Sequence, residues 1–223
     1  MPHRLAAWAS EPGCTPARQL RHPAGLAGHL VGVMMNRRNR RTITAAVDAL
    51  APSEGAVVAD IGFGGGVGVE LLLDRVGAAG RVHAIEVSSA MLSRAARRFR
   101  DEIADGRLSL HAASLTDLPL RAAALDGAIT INTIYFIADQ HRAFSELARV
   151  LQGSGRAVIG LADPDWMSGL PTTPHGFRLR PVADVMDAAT RAGLHVHEDR
   201  RIGSEPHPYH LLVVSPAGSA VSA

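Results

Sequence analysis

A chain of 223 residues with 47% hydrophobic and 20% charged residues can bury one large domain, or one domain with a cap. Its formal charge of +2 is far from the footprint of a nucleic-acid enzyme. All 23 basic residues are arginine, and the lack of lysine excludes a P-loop and any Schiff-base chemistry, pyridoxal phosphate included. The single cysteine, Cys14, excludes an intramolecular disulfide and a cysteine-based zinc site, and no apolar run reaches the ~20 residues of a membrane span.

Residues 1–18 are rich in Pro, Gly and Ala without periodicity, and are expected to be mobile. No apolar run follows Met1-Pro2-His3-Arg4-Leu5, so no secretory signal is evident and a cytoplasmic address is expected. Residues 19–50 read as a helical cap, with Leu26, Leu30, Val33 and Met34 at helix spacing. The cofactor-binding domain is expected over 51–223. It opens on a buried parallel strand, Ala56–Ile61, which carries Asp60 near its end. Gly62, Gly64 and Gly66 follow at alternate positions before the spacing turns helical at Val69-Glu70-Leu71-Leu72-Leu73. Glycine serves there because a Cβ would keep a ligand off the backbone and would penalise positive φ. Such a turn lies at the carboxyl end of a strand, where open α/β sheets bind their ligands, and it implies a nucleotide-like cofactor.

The turn is not the dinucleotide pattern G-x-G-x-x-G: from Gly62 the third position falls on Val67, and from Gly64 on Val69. The next strand, Val82–Glu86, closes on an acid roughly 20 residues beyond the turn, where a ribose diol is held. A carboxylate suits that role because its two oxygens can accept from two adjacent hydroxyls. Without lysine, an adenosine carrying no phosphate is favoured. Helix Ser88–Phe99 with Ser88 as N-cap, strand Leu108–His111, strand Gly127–Ile131, helix Arg142–Leu151 and strand Arg156–Leu161 come next. Prolines and glycines break residues 163–181, which read as a lid over the reactive end of the cofactor. Helix Val182–Ala192 stops at Gly193, and strands Leu194–Arg201 and Tyr209–Val214 complete an α/β, doubly wound, Rossmann-like, mostly parallel sheet.

Asp60-x-Gly62-x-Gly64-x-Gly66 and Glu86 resemble motifs I and II of the class I S-adenosylmethionine (SAM) methyltransferases. Leu118-Pro119-Leu120 with Leu125-Asp126-Gly127 resembles that family's approach to strand four, and Asn132-Thr133-Ile134-Tyr135-Phe136 its motif IV. Glu146 through Gly155 is similar to its helix and turn before strand five, and Met35-Asn36-Arg37-Arg38-Asn39 to the cap helix of bacterial small-molecule, UbiE-like members. The resemblance runs over roughly residues 20–215 and implies an antiparallel last strand, SAM as cofactor and methyl transfer as activity. It implies cofactor contacts from Asp60, Gly62, Phe63, Gly64, Gly66, Glu86, Val87, Met91, Ser114, Leu115, Asn132 and Thr133. Asp60 would orient the turn and the cofactor's ammonium group, and Asn132 would offer backbone near the methionine part. One residue departs from the pattern: Ser114 stands where the family places an aspartate for the adenine amino group.

Phe63 and Tyr135 either shield the sulfonium or pack in the core. A sulfonium is already activated, so transfer mainly needs alignment; orientation is worth effective molarities of ~10⁵–10⁸ M, whereas a general base adds ~10²–10⁴-fold. His175, in the lid and with a suitable pKa, is the first candidate base, and Asp163 at the end of strand five the second. Tyr135, Trp166, His175 and Phe177 are the candidate acceptor contacts. No metal is expected. Asn132-Thr133-Ile134 replaces the paired acids of magnesium-dependent members, and His195, His197, His207 and His210 lack a recognised ligand spacing. The expected function is in-line methyl transfer to a small, largely apolar molecule, such as a specialised metabolite, in a pocket closed by cap and lid. The acceptor atom (O, N or C) is open, and a homodimer is compatible with such a domain. An RNA or DNA methyltransferase is the alternative, but no Asn/Asp-Pro-Pro-aromatic tetrapeptide is present, and the runs Arg37–Arg41 and Arg94–Arg100 read as solvated helix faces. A SAM-fold protein that binds cofactor without transfer, a cyclase or partner subunit, is the other.

Overall fold

Residues 40–169, 177–203 and 208–218 are described by the structure, a computed structural model. The expected mobile N-terminus, cap residues 19–39, lid residues 170–176 with His175, and His207 lie outside the described residues. Seven strands form one sheet: β1 (Val57–Ile61), β2 (Arg81–Glu86), β3 (Leu108–Ala112), β4 (Leu125–Ile131), β5 (Leu151–Ala162), β6 (Leu194–Ile202) and β7 (Tyr209–Pro216). Their order is β3-β2-β1-β4-β5-β7-β6. β1 through β5 pair in parallel, and β7 inserts antiparallel between β5 and β6. The carboxyl ends of β1, β2, β4 and β5 therefore share one edge. Chain order reverses between β1 and β4, which makes that crevice the topological switch point where open α/β sheets take ligands.

The central strands are apolar on both faces because helices cover both faces. Val58, Ala59, Ala84, Ile85, Ala128, Ile129, Val158 and Ile159 are shut off from solvent. A helix over residues 40–50 (α1) runs alongside α2 (Val67–Val76), with Arg40 facing Glu70 at 3.7 Å and Asp48 paired to Arg75 at the far end. Ala46, Val47 and Leu50 of α1 are buried, and Leu50 fills the space over Gly127, where a Cβ would come within 3.0 Å of it. This described part of the expected cap is thus a layer helix against the sheet.

α3 (Ser89–Arg98) starts at Ser88, whose Oγ accepts from Met91 N–H at 3.4 Å, the N-cap that the sequence implies. The helix breaks at Phe99, and a short α4 (Arg100–Ala104), absent from the sequence reading, follows. α5 (Gln140–Val150) begins two residues before the expected start because Asp139 caps it through Arg142 N–H at 3.0 Å. No helix is assigned in the β3–β4 connection, and α5 holds this loop instead. Glu146 accepts from Leu118 N–H at 2.8 Å, and Arg149 donates to the carbonyls of Leu118 and Leu120 at 3.1 and 2.7 Å. The Arg149 guanidinium beside Glu146 holds its carboxyl below the usual range. α6 (Pro164–Ser168) is a short helix within the expected lid, and α7 (Val182–Arg191) packs on α5 and β6. No helix among the described residues is long and apolar enough to cross a membrane.

On the outer strands, His83 Nδ1 lies 3.1 Å from His111 Nε2, with half-buried rings. Burial lowers the pKa of both, and for His83 the neighbouring His111 lowers it further. The folded state therefore binds fewer protons here than the unfolded chain, so this stability is complete above about pH 6.5 and is lost as pH falls through the lowered folded values. Urea midpoints measured from pH 8 to 5 should fall below pH 6.5, and His111→Phe should flatten that slope.

Candidate functional site

The glycine turn between β1 and α2 bends through three left-handed residues: Gly62, Gly64 and Gly66 have φ of 76°, 51° and 80°. A Cβ on Gly62 would strike Thr133 Oγ1, and one on Gly66 would reach 3.0 Å from the Phe99 ring. These are positions where only glycine fits without strain. The turn is anchored to β2, because Gly62 N–H donates to the Ile85 carbonyl at 2.7 Å. Glu86 completes the anchor. Its Oε2 accepts from Gly64 N–H at 3.0 Å, and its Oε1 accepts from Val87 and Ser88 N–H at 2.8 and 3.0 Å. Oε2 keeps a free acceptor direction, which is what a ribose hydroxyl requires. Val87 beside it is 50% exposed, an apolar side chain presented at the crevice mouth.

Asp60 is only 4% exposed and faces α2, where a Cβ on Gly68 would collide with its carboxylate. Burial pushes its pKa from 3.8 up to about 8, the nearby Glu86 adds to the rise, and Val69 N–H opposes it. On the other side of the crevice, Thr133 Oγ1 lies 3.3 Å from the carbonyls of both Ile61 and Ile131, bridging the tips of β1 and β4. Asn132 sits at φ 58° and receives a hydrogen bond from the Tyr209 hydroxyl at 2.9 Å. Asp60, the three glycines, Glu86, Val87, Asn132 and Thr133 thus meet at one edge.

Phe63, Met91 and Leu115 are buried beneath this edge. Ser114, expected at the adenine, shares its hydroxyl with Thr116: Oγ1 lies 3.0 Å away and Thr116 N–H donates to it at 3.3 Å. Its hydroxyl shapes the loop that would border the adenine. Tyr135 is buried, its hydroxyl bonded to the backbone of Ala162 at the end of β5, and burial raises its pKa. Its ring packs with Phe177 at 5.8 Å, and Phe136 lies 5.0 Å from Phe177. Trp166, on α6, is half-buried.

Asp163 caps α6: Oδ1 accepts from Asp165 and Trp166 N–H, both at 3.0 Å. Its Oδ2 lies 3.4 Å from His210 Nε2, while His210 Nδ1 is 2.9 Å from Asp199. The Trp166 N–H, His210 and the Asp165 N–H together hold Asp163 below the usual carboxylate range, which makes it a weak proton acceptor near neutrality.

Sequence reasoning missed four residues of this edge. Arg98 donates to the Gly65 carbonyl at 3.3 Å and to Glu70 at 2.6 Å, tying α3 to the glycine turn. Gly68 gives Asp60 its room, and a glycine early in a helix is a usable sign of close approach. Gly160 inside β5 carries a similar sign. Tyr209, 77 residues from Asn132, gives none.

Residues 59–159 match the methyltransferase domain family. An uncharacterized 37.1 kDa protein in transposon TN4556 of Streptomyces fradiae is 34% identical over 122 residues, 55% of this chain and 34% of that one. The uncharacterized methyltransferase YdaC of Bacillus subtilis is 27% identical over 155 residues, 70% of this chain and 82% of that one. The chain thus spans about a third of the first relative's length and most of the second's. Among solved structures, geranyl diphosphate C-methyltransferase from Streptomyces coelicolor A3(2), in complex with Mg2+, geranyl-S-thiolodiphosphate and S-adenosyl-L-homocysteine, superposes with a TM-score of 0.68. The identity is 18%, over 79% of this chain and 76% of that one, so the likeness is one of fold.

The raised pKa of Asp60 carries a sign. The folded free protein holds this proton more tightly than the unfolded chain, so the associated stability is present below about pH 4 and is lost as pH rises through about 8. A cationic ligand beside Asp60 reverses the preference. SAM binding near pH 7 should release about one proton and tighten between pH 6 and 8. Calorimetry in buffers of different ionisation enthalpy reads that release, and Asp60→Asn should abolish it. Sheet order, the glycine-and-acid crevice and the match of residues 59–159 to the methyltransferase domain family agree on a methyltransferase-like fold built around this one crevice.

Proposed function

We propose that the protein transfers a methyl group from SAM to a small, largely apolar acceptor by in-line displacement. The observation that carries this reading is the junction of the glycine-and-Glu86 crevice with an aromatic wall of Tyr135, Phe136 and Phe177 at one sheet edge. The residues present fit the cofactor: the cradle excludes Cβ atoms, Glu86 retains acceptor capacity, and the buried Asp60 awaits a cation. When bound, SAM supplies an electrophilic methyl on a sulfonium centre. Glu86 and the loop at Ser114 and Leu115 would hold the adenosine end; Asp60, Asn132 and Thr133 would border the methionine end.

The aromatic wall and Trp166 would exclude water and align the acceptor, which orientation alone can convert into most of the rate. His175 would take a proton where the acceptor has one to lose. Asp163, already committed to α6 and His210, would serve by placing Trp166. The proposal places the enzyme in the cytoplasm, as monomer or homodimer, without a nucleic-acid partner.

Radiolabelled SAM offered with a panel of small apolar O-, N- and C-nucleophiles should yield methylated product, and retention of cofactor without consumption on every acceptor would overturn the reading. Glu86→Ala should weaken SAM binding by about 1–3 kcal/mol, roughly 5- to 150-fold, measured by calorimetry. With a proton-bearing acceptor, His175→Ala should lower kcat by about 10²–10⁴-fold while leaving SAM affinity in place.

A further inference from the structure

Asn132 adopts a left-handed conformation, φ 58°, at the point where β4 leaves the sheet. A side chain resists that conformation, and asparagine tolerates it better than most residues. The bend turns the chain so that Thr133 lies against Gly62 and closes the wall of the crevice between β1 and β4. Two contacts hold the bend. Asn132 N–H donates to the Gly160 carbonyl on β5 at 2.9 Å, and Asn132 Oδ1 accepts from the Tyr209 hydroxyl on β7 at 2.9 Å.

Tyr209 reaches that oxygen across β5 only because residue 160 is glycine. A Cβ there would stand 3.0 Å from the Tyr209 hydroxyl, 3.2 Å from its ring and 2.6 Å from Ile131. β7 makes the reach feasible. Entering antiparallel, it starts at the carboxyl edge, with Tyr209 paired to Ala162. Burial, and then the neighbouring Tyr135, raise the Tyr209 pKa well above its ordinary value, so the phenol stays a donor through the working pH range.

We propose that Tyr209 and Gly160 are positioning residues that lock Asn132 in its left-handed bend and so set the methionine-side wall of the cofactor crevice. The proposal rests on the cofactor reading above. Tyr209 touches no reacting atom in this scheme; it acts through Asn132, and its effect falls on cofactor affinity.

S-adenosylhomocysteine binding by calorimetry tests it. Tyr209→Phe removes only the donor and should weaken affinity about 10-fold, ~1.4 kcal/mol. In the double variant Tyr209→Phe/Asn132→Gly, residue 132 adopts the bend without the strain of a side chain, and affinity should recover most of the loss. Unchanged affinity in Tyr209→Phe overturns the proposal, as does a loss that glycine at 132 does not restore. Should Tyr209→Phe not fold, Asn132→Gly is compared with Asn132→Ala: glycine should bind several-fold more tightly, and equal affinities overturn the proposal. A wild-type protein that takes up no S-adenosylhomocysteine overturns the cofactor reading itself, and this proposal with it.

Discussion

One carboxylate joins the parts of the site. Glu86 accepts hydrogen bonds from the glycine turn after β1 and from the first residues beyond its own strand β2. Three backbone N–H groups at the strand ends are satisfied by a single side chain, which is 8% exposed. Buried polar groups of this kind are costly unless paired, so the pairing fixes the turn, and the turn fixes where a ligand can approach backbone. The opposite wall is tied in the same manner by Thr133, which spans the carbonyls of β1 and β4.

The crevice is therefore preorganised by contacts that do not involve the ligand. Its one electrostatic tension is Asp60, buried near a second carboxylate and held largely by its proton. Such a group is costly in the free protein and becomes favourable once a positive charge arrives, and that difference favours a cationic ligand over a neutral one. The outer layer is held by arginines acting as forks on carbonyls: Arg149 on the loop before β4, Arg98 on the glycine turn, Arg180 on Ile137 and Ala138. In a chain without lysine, these loop carbonyls take their charged donors from planar guanidinium groups.

Strand and helix positions were readable because the apolar runs of β1, β2, β4 and β5 are continuous and bounded by glycine or acid, the pattern of strands covered on both faces. The helix ends at Phe99 as expected, but the short helix that follows it was not readable. Residues 94–104 keep helical composition throughout, and the interruption comes from Phe99 turning inward against Gly66. The cofactor edge was readable wherever its residues are neighbours in sequence, as in Asp60 through Gly66 and Asn132-Thr133. It was not readable where partners converge from different strands: Asp163 at the end of β5 is shared between a helix start and His210 of β7. Register between β5 and β7 decides those meetings, and no local pattern encodes it.

β6 is one of the two edge strands of the sheet, and beyond Val196 it presents His197, Glu198, Asp199, Arg200 and Arg201, all exposed. Mixed charge along an open border is a gatekeeping device: an incoming extended segment would have to strip water from both anions and cations to gain its backbone hydrogen bonds. Colloidal stability follows for a chain whose overall charge is too small to keep copies apart by repulsion. Replacing that border with threonines and valines would invite ribbon-like stacking of whole molecules while leaving each crevice intact.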